Sequence, residues 1–391
     1  MKRLFLVVLL ALCSCLLVEA EEPATTPTLG SERVAEYIHL LEGRRVGVLA
    51  NHTATREGLP LVDTLLRSGI DVQLIFASRP GFEGADYADG RFATSRDAYT
   101  GVEIVSLYGD KAAPRANDVF KCDVVVVDMV DVGVRTSPHL AVLYRTMQTC
   151  ADVGVPMLLL DRPNPNDGIV DGPLPEEHLL ASGALLPIPV VYGMTLGELA
   201  RMINGEGWLK GGKRCALTVV PCLNYTRGEQ YHSTLAPSPN LPNRLAVALY
   251  PSLCYFDATR VSVGRGTDSP FQLYGHPALE GEVEFTPTSR EGARHPVCCD
   301  SLCHGRDLRT IPLDTIRSRT IDLSYLIEAH AAMVAAGEEF FTSRSLFDRL
   351  IGVGYVGDMV EMGYTAEEIK RMWRGDVERF EEQRRPYLIY E

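Results

Sequence analysis

The first half of the chain alternates short apolar runs with helical patterns. Runs at residues 46–50, 72–76, 102–107, 124–127 and 156–160 have the length of strands. Val124, Val125, Val126 and Val127 are apolar at every position, as a strand covered on both faces requires, so the spacing predicts a parallel sheet flanked by helices. Leu140, Leu143, Tyr144, Met147 and Cys150 fall on one stripe of a helix predicted over 139–152. Near the start, Ser31 is placed to cap a helix carrying Val34, Ile38 and Leu41, with Gly43 to end it.

In an open α/β sheet, ligands gather at the carboxyl ends of the strands. Four of the five runs are followed there by polar residues: Asn51; Ser78 and Arg79; Asp128 and Asp131; Asp161, Arg162 and Asn164. Beyond about residue 206 the texture changes to Pro-rich and Gly-rich segments with weak strands, then strong helical patterns at 321–336 and 365–382. Thr365 and Glu368 form a capping box for the last of these, which turns Ile369, Met372, Trp373, Val377 and Phe380 inward and the charges between Arg374 and Arg385 to solvent. The fold class expected is α/β, with a parallel-sheet domain over 31–205 and a smaller α+β C-terminal domain over 206–391.

The first twenty residues stand apart. Lys2 and Arg3 precede an apolar run at 4–12, too short for a membrane span, and Val18-Glu19-Ala20 offers small residues where a signal peptidase reads. Residues 1–20 are therefore expected to be a signal peptide and 21–30 a Pro- and Thr-rich tether, giving an exported, periplasmic protein. Leu12-Cys13-Ser14-Cys15 is a loose lipobox, so the alternative is a lipoprotein anchored to the membrane through Cys15. The formal charge of -13 is spread along the chain and leaves no basic face for a phosphate backbone, which excludes nucleic acid as an expected partner.

Of the ten cysteines, two lie in the leader and the other eight show no disulfide framework. Cys298, Cys299, Cys303, His304 and His295 lack the paired C-x-x-C spacing of a zinc ribbon, and no metal is expected. The G-x-G-x-x-G match at 352–357 follows a helical pattern instead of a strand, which argues against a dinucleotide site. Gly211-Gly212-Lys213 lacks the full phosphate-loop spacing. Thr195 and Glu198 read as a capping box, a structural role.

Several ordered motifs carry a more specific signal. Val48-Leu-Ala-Asn51-His-Thr53, Asp128-Met-Val-Asp131-Val-Gly133-Val-Arg135, Asp161-Arg-Pro-Asn164-Pro, Gly193-Met-Thr195-Leu-Gly-Glu-Leu-Ala200, Pro237-Ser-Pro-Asn240-Leu-Pro242 and Gly264-Arg-Gly-Thr267 follow one another through most of the mature chain. Trp373 and Arg385-Pro-Tyr387-Leu-Ile-Tyr390 complete the set. Together they resemble the NamZ-like family of exo-acting N-acetylmuramidases. The resemblance implies a Rossmann-like domain joined to a smaller C-terminal domain with a cleft between them. It implies removal of terminal N-acetylmuramic acid from the non-reducing end of peptidoglycan fragments, with no metal or organic cofactor.

The chain departs from the family pattern after the second strand. Phe76-Ala77-Ser78-Arg79-Pro80-Gly81-Phe82 stands where Phe-Gly-Pro-Glu-His-Gly-Phe is expected, so Arg79 holds the place of the family's presumed catalytic Glu and Pro80 that of its His. An arginine stays protonated and is no general acid or nucleophile. Val130, Tyr192, Asp257 and Arg260 replace a usual Gln, His, Glu and Asn.

Glycoside hydrolysis normally uses two carboxyl groups. The candidates are Asp128, Asp131, Asp257 and Glu83, with Asp86 and Asp89 also following the altered loop. An Asp at a strand end also serves as a cap or an ion-pair partner, and Arg135 is placed to pair with Asp131. Arg265, between two glycines, suits the lactyl carboxylate of muramic acid. Asn51, Arg79, Arg135, Asp161, Arg162, Asn164, Tyr192 and Asn240 are the other expected sugar contacts. Two functions remain open at this point: an exported glycosidase, and an inactive relative that binds cell-wall sugar or a protein partner in the inherited cleft. Oligomeric state is not legible.

Overall fold

The computed structural model describes residues 26–56, 58–78, 82, 95–107, 113–182, 186–229, 231 and 233–391. The strands are β1 (Arg45–Ala50), β2 (Thr55–Arg56), β3 (Leu59–Pro60), β4 (Asp71–Ala77), β5 (Ser95–Arg96), β6 (Glu103–Ser106), β7 (Val124–Asp128), β8 (Met157–Leu160), β9 (Leu217–Val220), β10 (Leu273–His276), β11 (Val283–Phe285) and β12 (Cys303–Asp307). Among the described residues the main sheet has the order β5-β6-β4-β1-β7-β8-β9. Its pairs are parallel except at the β5 edge. β2 and β3 form a small ribbon, and β10, β12 and β11 an antiparallel sheet in the C-terminal half.

The all-apolar run at β7 is explained by its two neighbours in depth. Val124 and Val126 join a core with Val46, Val48, Ile75 and Leu158, beneath Tyr37, Leu61 and Leu65. Val125 and Val127 point the other way, into a second core with Leu140, Leu143 and Met147 of the helix Pro138–Val153 and with Leu199 and Ile203 of the helix Leu196–Gly205. Every valine is therefore buried, and the strand needs no polar face. A third core fills the C-terminal half around Phe256, Phe271, Phe347 and Trp373.

Several expectations are corrected. β9 lies beyond residue 205 yet pairs with β8, so the change of texture there does not end the sheet. Ser31 sits inside a 3-10 turn, followed by a helix of one turn at Val34–Tyr37 and another 3-10 turn at Ile38–Leu40, so no single capped helix forms. The last predicted helix breaks at Trp373 into Ala366–Arg371 and Arg374–Arg384, which turns Met372 outward, 59% exposed. Arg384, expected at the solvent, is buried and donates to the carbonyls of Gly193 and Tyr192. The Thr195–Glu198 capping box forms as read. Gly352 ends the helix Arg344–Ile351 with a φ of 96°, and Arg135 packs so closely that a Cβ there would lie 2.4 Å from its guanidinium, which accounts for the first glycine of the misleading motif.

Two buried polar hubs join the halves of the chain. Arg135 donates to the carbonyls of Pro173 (2.9 Å), Ile188 (2.6 Å), Leu350 (3.3 Å) and Ile351 (2.6 Å). Asp171 accepts from the Trp373 indole at 2.8 Å, from Thr320 and from the backbone of Ile321, and pairs with Lys370 at 2.7 Å. These clamps hold the C-terminal half over the carboxyl ends of the strands. No helix among the described residues is long and apolar enough to cross a membrane.

Candidate active site

The register of the sheet sets the floor of the site. Ala50 lies beside Ala77 on one side and Asp128 on the other, so Asn51, Ser78 and Met129 leave the sheet at one level. Asp128 is fully buried, and both its oxygens accept from Arg162, one at 2.9 Å. Burial alone would lower the Arg162 guanidinium; the Asp128 charge and hydrogen bonds more than offset this and hold it above its ordinary range. The two side chains are mutual counter-ions, and neither lines the cavity that contains Asp257.

Asp131 is likewise committed. One oxygen accepts from the Ser137 hydroxyl at 2.6 Å, the other from the Gly133 amide at 2.8 Å and from the Tyr192 phenol. This corrects the pairing of Asp131 with Arg135, whose guanidinium is surrounded by carbonyls; burial there lowers it to about 10. It also corrects Tyr192 as a ring platform, since the side chain is fully buried and burial, then the Asp131 charge, push its phenol well up.

The Asp161 turn belongs to the framework as well. Asp161 accepts from the Thr195 hydroxyl (2.7 Å), the Tyr390 phenol (2.7 Å) and the Gly197 amide (2.9 Å), and burial raises its carboxyl to about 6 against the pull of these donors. Asn164 donates to the Met194 carbonyl at 2.9 Å and accepts from the Asn166 amide at 2.9 Å. Asp128, Asp131, Arg135, Asp161, Arg162, Asn164 and Tyr192 thus build the walls on which the cleft rests. Arg79, Pro80, Glu83, Asp86 and Asp89 lie outside the described residues.

The cleft itself opens above them, a cavity of about 260 Å³ lined by Asn240, Asp257 and Arg265 together with Ser137, His139, Tyr250 and Phe271. Asp257 leaves the 3-10 helix Cys254–Ala258, and Arg265 the Gly264–Gly266 loop; Arg265 Nη2 donates to both Asp257 oxygens at 2.9 and 3.2 Å. Gly266 has a φ of 82°, and a Cβ there would lie 2.4 Å from the Thr288 carbonyl, so the turn that aims Arg265 demands glycine. The guanidinium lies 4.7 Å from the centre of the Phe271 ring. The Asp257 side chain is 41% exposed to the cleft, yet the surrounding protein raises its carboxyl above the ordinary range, with the Arg265 charge opposing. Asn240 donates to the Gly292 carbonyl at 2.8 Å from the same wall.

Sequence reasoning missed His139. The Asn51 oxygen accepts the Thr53 amide at 3.0 Å, and its amide nitrogen lies 3.2 Å from His139 Nε2. Asn51, expected at the sugar, is 1% exposed and orients the histidine that lines the cavity. The available signal was Pro138 at the first position of a helix whose start meets the strand ends. His52, next to Asn51, lies 2.8 Å through Nε2 from the Ala236 carbonyl, and burial lowers its ring. Among the described residues no group of three His, Cys, Asp or Glu side chains forms a metal cage.

With this geometry in place, the chain compares closely with known proteins. Residues 46–245 match the family model described as exo-beta-N-acetylmuramidase NamZ, N-terminal, and residues 248–390 the corresponding C-terminal model. The chain belongs to the NamZ family. It is 30% identical over 381 residues to the peptidoglycan beta-N-acetylmuramidase NamZ of Bacillus subtilis (strain 168), covering 91% of this chain and 89% of that protein. A DUF1343 family protein from Bacteroides fragilis, known from a crystal structure, is 41% identical with a TM-score of 0.86 over 94% of this chain and 99% of its own. A second from the same organism, 24% identical with a TM-score of 0.81, shares the fold. The NamZ family models meet between residues 245 and 248, within the helix Arg244–Leu253 that leads into Asp257.

Proposed function

We propose that this protein is a glycoside hydrolase releasing N-acetylmuramic acid from the non-reducing end of peptidoglycan fragments. The observation that carries the reading is the Asp257–Arg265 pair open to the cleft, where every other candidate carboxylate among the described residues is buried in the framework. Membership of the NamZ family supports the substrate class. The leader pattern at residues 1–20 supports action on cell-wall material outside the cytoplasm.

Hydrolysis breaks the bond from the anomeric carbon of the muramyl sugar to the oxygen of the next sugar; that oxygen takes a proton, and water supplies the hydroxyl left on carbon. Asp257, with its raised carboxyl, is suited to hold the proton given to the leaving oxygen. Arg265 retains N–H donors beyond the one used on Asp257, and these suit the lactyl carboxylate that distinguishes muramic acid from glucosamine. The Asn240 amide, on the wall of the same cavity, is a neutral group suited to the ring substituents.

A second reading, a binder of the same sugar without hydrolysis, is favoured by one observation: a single carboxylate lines the described part of the cleft. Incubating the protein with the disaccharide N-acetylmuramyl-β-1,4-N-acetylglucosamine and following free N-acetylmuramic acid by mass spectrometry separates the two. Release that is lost in Asp257→Asn supports the hydrolase. Binding without release at high protein concentration leaves the binder.

A further inference from the structure

A tight turn leads into β12 and folds the chain back on itself. The Pro296 carbonyl accepts from the Cys299 amide and the Cys298 carbonyl from the Ser301 amide, both at 3.1 Å. Cys298 and Asp300 each take a φ of 59°, a left-handed backbone that residues with a side chain rarely adopt. Two such residues within three positions bring Cys298 against Cys303, the first residue of β12, and their thiols are hydrogen-bonded to each other. Cys303 is fully buried where β12 pairs with β11, its thiol also 3.6 Å from the Ser301 carbonyl. Cys298 is half-buried, its thiol 3.5 Å from the Arg260 carbonyl. The sulfur of Cys299, between them in sequence, lies instead 3.5 Å from the Asp300 carboxylate.

We propose that Cys298 and Cys303 form an intrachain disulfide by exchange with an external disulfide of the glutathione type. The Cys298 thiolate attacks a sulfur of that disulfide, whose S–S bond breaks and releases one thiolate. The Cys303 thiolate then attacks the Cys298 sulfur of the mixed disulfide and releases the second. The protein gives up two protons and two electrons, and the external disulfide takes them up as two thiols. The order follows from access, since Cys298 is open to an external molecule and Cys303 is closed to solvent. The hydrogen bond from Cys303 also favours the Cys298 thiolate and holds that thiol below its ordinary range against burial. Cys150 and Cys215 are a second hydrogen-bonded pair, but at 0% and 4% exposure neither is open to start the exchange in the folded protein. An exported chain, as proposed above, meets such disulfides.

The position gives the bond a consequence. The turn stands behind the loop that aims Arg265: a Cβ on Gly266 would lie 2.9 Å from the Pro296 ring, and the Gly266 carbonyl accepts from the Thr288 amide at 3.0 Å. The Asp300 amide in turn donates to the Pro287 carbonyl at 2.7 Å. Closing the turn stiffens this wall and uses no group that lines the cavity. The inference does not depend on the muramidase reading.

The test equilibrates the full mature protein, first reduced and freed of reductant, in buffers of reduced and oxidised glutathione. Remaining thiols are blocked with iodoacetamide in denaturant, and the tryptic peptide 295–306, which contains Cys298, Cys299 and Cys303, is weighed. The expected peptide carries one blocked thiol and has lost two hydrogens. The effective concentration of the pair against glutathione is expected to be at least about tenfold higher in the folded protein than in denaturant. Cys299→Ser is expected to keep the bond, with no blocked thiol on the peptide, while Cys298→Ser and Cys303→Ser each lose it. Three blocked thiols in the folded wild type, a stable glutathione adduct on Cys298, or a bond that disappears in Cys299→Ser overturns the proposal. So does an effective concentration no higher in the folded protein than in denaturant, a comparison made on the wild type and independent of how any variant folds.

Discussion

Arg265 Nη2 lies 2.9 Å from one oxygen of Asp257 and 3.2 Å from the other, while the guanidinium carbon sits 4.7 Å from the centre of the Phe271 ring. The ion pair and the ring contact fix the plane of the fork. A lysine keeps the charge but not the planar fork. Arg265→Lys is expected to raise KM for the disaccharide at least about tenfold, and Arg265→Ala further, with the larger share of each loss in KM. Asp257→Asn is expected to lower kcat by about 10²-fold or more, as removal of a proton-transfer group does. Steady-state kinetics on the three variants check this division.

Asp128 and Arg162 make the opposite kind of pair, with side chains 0% and 6% exposed. Arg162→Met leaves an uncompensated buried carboxylate and is expected to cost about 3–5 kcal/mol of stability. Asp128→Asn with Arg162→Met together is expected to recover most of that loss. Denaturant unfolding of the single and double variants measures both. A single variant as stable as the wild type contradicts the placement of the pair.

Stability should also depend on pH in a stated direction. Burial raises Asp161 and Asp167 to about 6 in the fold, above the ordinary aspartate value. The fold therefore favours their protonated forms; the stability they contribute is fully present below the ordinary carboxylate range and is lost as pH rises through 6, on the order of 2 kcal/mol for each group. The melting temperature is expected to be higher at pH 5 than at pH 7.5. Asp167→Asn is expected to remove about half of that difference, since Asp161 keeps its share. A flat profile in the wild type contradicts the assignment.

The C-terminus closes the framework from outside the sheet. The Tyr390 phenol donates to Asp161 at 2.7 Å and accepts from the Cys222 amide at 2.9 Å, and Glu198 accepts from the amides of Ile389 (2.7 Å) and Tyr390 (3.2 Å). Tyr390→Phe strands two buried groups and is expected to cost about 1–3 kcal/mol. Thermal unfolding reads the effect directly.

The strands and the helix Pro138–Val153 were legible because burial on both faces leaves an unbroken apolar run, and burial on one face leaves a stripe. β9 was not, since Leu217-Thr-Val-Val220 is short and half-exposed at the sheet edge. The break at Trp373 was hidden because Ile369, Trp373 and Phe380 keep helical spacing across it. For the candidate site, the pattern drew attention to the polar strand ends but not to which side chains face the cavity. Asp128 and Arg162, or Asp131 and Tyr192, look like ligands until each is seen to satisfy the other across 34 and 61 residues of sequence. Asp257 and Arg265 stood out through the family motif and the glycines that flank the arginine, and the structure pairs them on the wall of the cavity. His139 was not legible, because nothing in its own segment reports that Asn51 lies against it across 88 residues of sequence.

The central claim is that Arg265 selects the muramyl sugar by its lactyl carboxylate, and the most direct test is discrimination between two monosaccharides. Calorimetric affinities for N-acetylmuramic acid and N-acetylglucosamine, which differ by the lactyl group, are measured on the wild type and on Arg265→Ala. The account predicts a preference for N-acetylmuramic acid of about tenfold or more in the wild type that falls to near parity in the variant. A preference that survives the loss of Arg265, or a wild type that does not distinguish the two sugars, would contradict it.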